Sequence, residues 1–351
     1  MSAIRCRPYR AEDEPGLRAM FRAVYGPEAD QRTSAWRYLA PAPWPAVIQV
    51  AEVDGRIVGA QPSHGIDLLI EGESVRGLLL LDVMTHPDCR RRGVFAGVVE
   101  GLRERASDEG YRVLLTTPNR DAERGFARLP AWRRMGELVP WVSITDAAAL
   151  FAAKARWGAM LHPLDSLWHA LSGRRRISAD EDMSRYPGDG FTDALWRSIA
   201  TASACHVVRD SRFVSWRFGA GSGRPYSFLA AGAPEHPEAL VTFGEGLFFG
   251  RQVLTLVDMM VEPASPEAGA RLLRTISEKA RHEHRAAVVG WFAPGSGSER
   301  ILRGAGFRKV PTMLRPRPYA VWGWSDLPGE RGARALILKT WSMSLADSDL
   351  A

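Results

Sequence analysis

Three segments of this 351-residue chain return later in the same order and at nearly the same distance. SAWRYLAPAPWPAVIQVAE, from residue 34, is answered by VSWRFGAGSGRPYSFLAAG from residue 214, with Trp36, Arg37 and Tyr38 facing Trp216, Arg217 and Phe218. LLLLDVMTHPDCRRRGVFAGVVEGLRERASDEGYRVLLTT, from 78, is answered by LTLVDMMVEPASPEAGARLLRTISEKARHEHRAAVVGWF from 254. ARLPAWRRMGEL, near 127, is answered by LRGAGFRKVPTM, near 302. The offsets are all about 175 to 180 residues. A chain that repeats once folds as two copies of one unit, and this length gives each copy enough residues for its own core. The copies span 1–145 and 189–351, with residues 146–188 as the connection.

Within the first copy, the pattern predicts a helix over 12–25 and two strands over 47–62 around the turn Asp54-Gly55, where β-branched residues alternate on both sides. SVRGLLLLDVMT, 74–85, is a nearly continuous apolar run, as in a strand buried on both faces, and Pro87 ends it. Val94, Val98, Val99, Leu102 and Ala106 recur at helical spacing up to Asp108, Gly110 stops the helix, and RVLLTT at 112–117 makes another strand. A short helix over 120–129 and a strand over 136–144 complete the unit. The connection reads as a Trp-containing helix followed by the polar stretch RRRISADEDMSRYPGDG. The C-terminus, ALILKTWSMSLADSDLA, reads as a strand-like run with an acidic tail.

The net charge of +6 raises nucleic acid as a partner. The basic residues are, however, spread along the chain, only four of the 46 are lysines, and no stripe of cations with stacking aromatics is present. That argues against nucleic acid. No window reaches eighteen apolar residues and MSAIRCRPYRAEDEP is charged where a signal peptide needs its apolar segment, so the expectation is a cytoplasmic protein without membrane insertion. Cys6, Cys89 and Cys205 are odd in number and far apart, which suggests neither a disulfide framework nor a metal site.

The chemistry points to Arg90-Arg91-Arg92-Gly93, between the apolar strand and the helix that follows. A strand, a turn and a helix N-terminus form an anion site, because first-turn amides lack helical partners and the helix dipole favours negative charge. Glycine lets the backbone approach the anion, and arginine adds bidentate hydrogen bonds. Neither GxxxxGK[ST] nor GxGxxG is present here, which disfavours ATP and NAD.

Arg90-Arg91-Arg92-Gly93-Val94-Phe95 resembles motif A, [Q/R]xxGx[G/A], of the GNAT acyltransferase superfamily, and HP before it and Asn119 with a short helix after it fit the same pattern. Phe95 departs from the glycine or alanine of the motif. The layout, over residues 1 to about 325, is similar to tandem members such as the enhanced-intracellular-survival acetyltransferases and mycothiol synthase. The resemblance implies two α/β domains, each a mixed β-sheet flanked by helices. It implies acetyl-CoA or another acyl-CoA as co-substrate, no metal, and a small-molecule amine as acceptor, and it leaves a homo-oligomer open. The pyrophosphate would lie on amides from Arg91 to Ala96, including Arg92, Gly93, Val94 and Phe95, and the pantetheine along Val83, Met84 and Thr85. In the second copy the turn reads SPEAGA, with Glu267 where a cation is expected, so that copy is expected to bind no CoA.

For catalysis, the resemblance places an oxyanion-binding backbone N–H near Met84. Asp82, His86 and Glu52 are candidate bases, as are the acidic tail and the terminal carboxylate of Ala351. Family members carry a tyrosine acid seven residues after the asparagine. Here that position is Phe126, which cannot donate a proton. The leading expectation is an acyl-CoA-dependent N-acyltransferase. The alternatives are a non-catalytic acyl-CoA-binding protein and an acyl-CoA hydrolase or decarboxylase on the same scaffold.

Overall fold

The structure is a computed structural model and describes residues 3–26, 44–151, 186–315 and 317–348. The first copy contains β1 (Arg5–Pro8), α1 (Glu14–Tyr25), β2 (Ala46–Val53), β3 (Arg56–Ile70), β4 (Glu73–Leu80) and β5 (Met84–Thr85). It continues with α2 (Val94–Asp108), β6 (Val113–Thr116), α3 (Arg120–Phe126) and β7 (Arg133–Ile144). The second contains α4 (Asp189–Ile199), β8 (Cys205–Val207), α5 (Ser211–Phe218), β9 (Tyr226–Ala233), β10 (His236–Phe248) and β11 (Arg251–Val261). After these come α6 (Pro266–His282), β12 (Ala287–Phe292), α7 (Ser298–Gly304), β13 (Arg308–Lys309), β14 (Tyr319–Ser325), α8 (Gly329–Ala335) and β15 (Trp341–Ser342). Of the Trp-containing helix expected in the connection, the start, Ala147–Phe151, is helical, and the rest, with its tryptophans, lies outside the described residues.

The strands form one mixed sheet in the order β1-β2-β3-β4-β6-β14-β7-β12-β11-β10-β9, so the fold is mixed α/β with helices on both faces. Strands cross the boundary between the copies. β14, from the second copy, runs between β6 and β7 of the first, with Trp322 opposite Thr116 and Tyr319 opposite Leu138. β7 in turn pairs with β12 from Ala287–Ile144 to Phe292–Val139. Neither copy closes its sheet without a strand from the other.

On one face of the sheet α2 covers the first copy, burying Val94, Val98, Val99 and Leu102 against Leu78, Leu80 and Leu114. α6 covers the second through Leu272, Leu273 and Ile276. The opposite face carries α1 over Ile48, Ala60 and Met84, and a core shared by both copies that holds Ile66, Leu79, Leu115, Phe213 and Trp341. α2 sits unusually close to the sheet. A Cβ on Gly59 would lie 2.2 Å from Val94 Cγ1, and one on Gly97 would lie 2.7 Å from Cys6 Sγ. These glycines set the height of the helix N-terminus, and with it the arginine loop.

The C-terminal run differs from the strand expected for it. Ala335, Leu338 and Trp341 are buried at a spacing of three whereas Ile337 is exposed. That period suits the end of α8 and a 3₁₀ turn over Leu338–Thr340, and only Trp341–Ser342 is extended, parallel to β8.

Candidate active site

β4 and β6 run parallel from Gly77–Val113 to Leu80–Thr116 and then part. The parting follows from a slip in the β3 ladder. Leu81 N–H donates to Pro62 O (3.0 Å) and His86 N–H to Val58 O (2.9 Å), while Met84 faces Ala60. Asp82 and Val83 therefore stand against Gln61 alone, a β-bulge that bends the strand away from β6. Asp82 adopts φ 36°, and the buried Gln61 amide donates to the carbonyls of Pro62 (2.7 Å) and Leu81 (2.9 Å). The opened strands leave a cavity of about 170 Å³ lined by Asp82, Val83, Thr116, Thr117, Asn119 and Phe126. A crevice beyond the carboxyl ends of parted parallel strands is where α/β sheets bind ligands.

The arginine loop follows the same strand, between β5 and the start of α2. Arg91 (φ 60°) and Gly93 (φ 84°) are both left-handed, and Gly93 precedes α2 as its N-cap. The first amide after the cap to bond within the helix is that of Gly97, to Gly93 O (3.0 Å), so Val94, Phe95 and Ala96 present first-turn amides. No acidic residue occupies that turn. Arg90 and Arg91 are exposed and Arg92 is half-buried, its guanidinium 3.9 Å from Cys89 Sγ. Left-handed residues, first-turn amides and arginines side by side are the features from which anion-binding concavities are built.

The remaining expected residues divide between the two faces. Since Ala60 and Met84 are the hydrogen-bonded pair next to Val58 and His86, the Met84 amide turns toward β3, and alternation turns those of Val83 and Thr85 toward the cleft. An amide donor at the cleft is thus better placed at Val83 or Thr85 than at Met84. Val83, Phe95 and Phe126 pack on the α2 side. Asn119 caps α3, accepting from the N–H groups of Asp121 (3.1 Å) and Ala122 (3.0 Å). Phe126 is buried against Phe95 and Trp132. His86 does not line the cleft: it opens on a separate cavity beside Gly16, Met20 and Arg56, with Nε2 2.6 Å from the Arg56 guanidinium. Glu52 is bonded to Arg7 (2.8 Å). Ala351 lies outside the described residues.

Sequence reasoning missed two side chains that the fold brings to the cleft. Tyr25, at the end of α1, donates to Asp82 Oδ1 at 3.3 Å. Arg317, from the second copy, reaches the same cavity just before β14, its guanidinium 4.7 Å from the Tyr319 ring centroid. Tyr319 packs into the shared core and α1 covers the same face, so Tyr25, Asp82 and Arg317 gather opposite the arginine loop. Thr116 and Thr117, also missed, line the wall between the two sides.

The second copy has the same parted strands, but protein enters between them, beside a cavity of about 230 Å³ lined by Met259, Glu262, Pro266, Ser298, Ile301 and Ser342. β11 and β12 pair from Leu254–Val288 to Leu256–Gly290, and β11 also shifts register, between Leu256 and Asp258. Beyond that point the C-terminal segment enters. Ala293 N–H donates to Met343 O (2.8 Å), and Ser344 bridges to Phe292 and donates from Oγ to Asp258 Oδ1 (2.7 Å). The other edge of β12 is taken by β7, so the tail lies between β11 and β12. Arg209 binds Asp258 (2.9 Å) and Asp347 (2.6 Å), all three buried, and Arg217 holds the carbonyls of Ala346 (3.0 Å) and Ser348 (2.6 Å). Asp258, the counterpart of Asp82, is thus a structural anion, and burial pushes the Asp347 carboxyl above its ordinary range. At the start of α6, Pro266 removes one amide and Glu267 adds a carboxylate.

Parted strands, a bulge on the fourth, and an amide and arginine turn into the next helix define a GNAT-type acyltransferase fold, present here twice in one chain. Residues 5–135 match the family model described as Acetyltransferase (GNAT) domain. The whole chain is similar in structure to a GCN5-related N-acetyltransferase from Anabaena variabilis ATCC 29413, at TM-score 0.60 and 10% identity, over 92% of this chain and 72% of that one. It is also similar to a probable N-acyltransferase from Enterococcus faecalis V583, a conserved protein of unknown function, at TM-score 0.61, 10% identity and the same coverages of 92% and 72%. A tandem GNAT protein from the clavulanic acid biosynthesis pathway aligns over 93% of this chain and 100% of its own, at TM-score 0.54 and 14% identity. No curated protein matches the sequence. Among the described residues no helix is long and apolar enough to cross a membrane.

Proposed function

We propose that the first copy transfers an acyl group, acetyl in the simplest case, from acyl-CoA to the amine of a small molecule, and that the second copy binds no CoA. The observation that carries this reading is the through-sheet cleft, with an anion-binding loop on one side and a carboxylate on the other. Amides of Val94 to Ala96 with Arg90, Arg91 and Arg92 would hold the pyrophosphate, and the amides of Val83 and Thr85 would take the pantetheine and the thioester oxygen. The donor supplies an activated acyl group; the protein supplies orientation and proton transfer.

An acceptor amine of ordinary pKa, about 10.4, is charged at pH 7, and freeing it costs about 4.6 kcal/mol at about 1.36 kcal/mol per pH unit. Asp82 accepts that proton, with one carboxylate oxygen held by Tyr25. The second amine proton, lost as the amide forms, goes to the departing sulfur, so no side-chain acid is needed where Phe126 stands. Thiol release from acetyl-CoA, followed with a panel of amines, tests the reading. Amine-dependent release supports it, with Asp82→Asn slowing turnover about 100-fold. Amine-independent release would instead indicate a hydrolase, and binding without release a non-catalytic acyl-CoA protein, the reading that the missing hydroxyl at Phe126 favours.

A further inference from the structure

Resting on the transferase reading, the acceptor must reach the thioester from the side opposite the arginine loop, since the loop side is taken by the donor. Among the described residues lining the cavity, two are charged, and they are of opposite sign: Asp82 and Arg317. Both lie on that opposite side, Asp82 through its bond to Tyr25 of α1 and Arg317 through its stacking on Tyr319. A guanidinium stacked on a ring engages its face and keeps its in-plane N–H groups for a carboxylate, the geometry of bidentate recognition.

We infer that the acceptor is a small amino acid, an amine that also carries a carboxylate, with its ammonium group on Asp82 and its carboxylate on Arg317. A monoamine without a carboxylate would leave the cation without its counterion, and a diamine would set a second positive charge against it. The inference gives the second copy a task although the tail enters between the parted strands of its own cleft. The exchanged strand β14 carries Arg317 into the first copy's cleft, so the partner copy reads the acceptor.

The test is kcat/KM with acetyl-CoA for glycine, β-alanine and 4-aminobutyrate, each against its carboxamide and its decarboxylated amine, in the full chain and in Arg317→Ala and Arg317→Lys. At least one amino acid should exceed its carboxamide tenfold or more. Arg317→Ala should erase that ratio through KM, and Arg317→Lys should restore part of it. Turnover that favours the carboxamides or plain amines, or a preference that survives in Arg317→Ala, overturns the inference and leaves the transferase reading intact. Tight acetyl-CoA binding with no amine-dependent release by any of these probes overturns both.

Discussion

Phe95 meets Phe126 edge to face, with ring centroids 5.3 Å apart, in space that Gly125 leaves open. A Cβ on Gly125 would lie 2.5 Å from Phe95 Cε1. The two departures from the GNAT pattern, a bulky residue in the loop and a phenyl ring in place of the tyrosine, therefore accommodate each other. Gly125→Ala should displace Phe95, destabilise the protein by about 1–3 kcal/mol, and weaken acetyl-CoA binding because the loop moves with the ring. Chemical denaturation and calorimetric titration would check both. Unchanged affinity in a destabilised variant would separate the ring from the loop.

The tail prediction distinguishes packing from catalysis. Asp347→Ala leaves Arg209 short of a buried partner and should cost about 3–5 kcal/mol, seen as a loss of denaturation midpoint. Deleting residues 349–351 spares that network. If turnover drops in the shorter chain while its stability holds, the terminal carboxylate regains a place in catalysis. Equal turnover assigns the tail to packing between β11 and β12.

His206 gives a pH dependence with a definite sign. Burial, and then the nearby Arg209, lower its pKa from 6.5 to about 4, so in the folded protein it stays neutral. Its Nε2 accepts the Ser203 N–H at 3.0 Å, which requires the unprotonated ring nitrogen. Between these values the unfolded chain binds more protons, so stability falls as pH drops from 6.5 toward 4, by up to about 3 kcal/mol at about 1.36 kcal/mol per unit. His206→Gln should flatten the fall of the thermal midpoint across that window. An identical slope in the variant would place the acid sensitivity elsewhere.

Much of the unit was legible because its signals are local. Asp54 (φ 50°) and Gly55 (φ 77°) form the two-residue hairpin turn that the sequence suggests, and α2 buries the five residues read at helical spacing. The bulge was hidden. LLLLDVMT is apolar on both faces, so a one-residue slip leaves no break in its pattern, and only the left-handed Asp82 marks it. Strand exchange was hidden for a different reason: periodicity shows that β14 is a strand but not which sheet accepts it. Tyr25 and Arg317 reach the cleft only through that tertiary arrangement, Tyr25 across 57 residues of chain. Nor does a buried spacing of three announce that the C-terminal run will enter between the parted strands of its own copy.

The central claim is that one of two similar clefts takes acyl-CoA. Isothermal titration with acetyl-CoA, in the full-length protein and in Arg91→Glu and Glu267→Arg, tests it most directly. One site per chain is predicted, with affinity lost by tenfold or more in Arg91→Glu and no second site gained in Glu267→Arg, because the tail still lies between β11 and β12. Two sites per chain, or unchanged affinity in Arg91→Glu, would contradict the account.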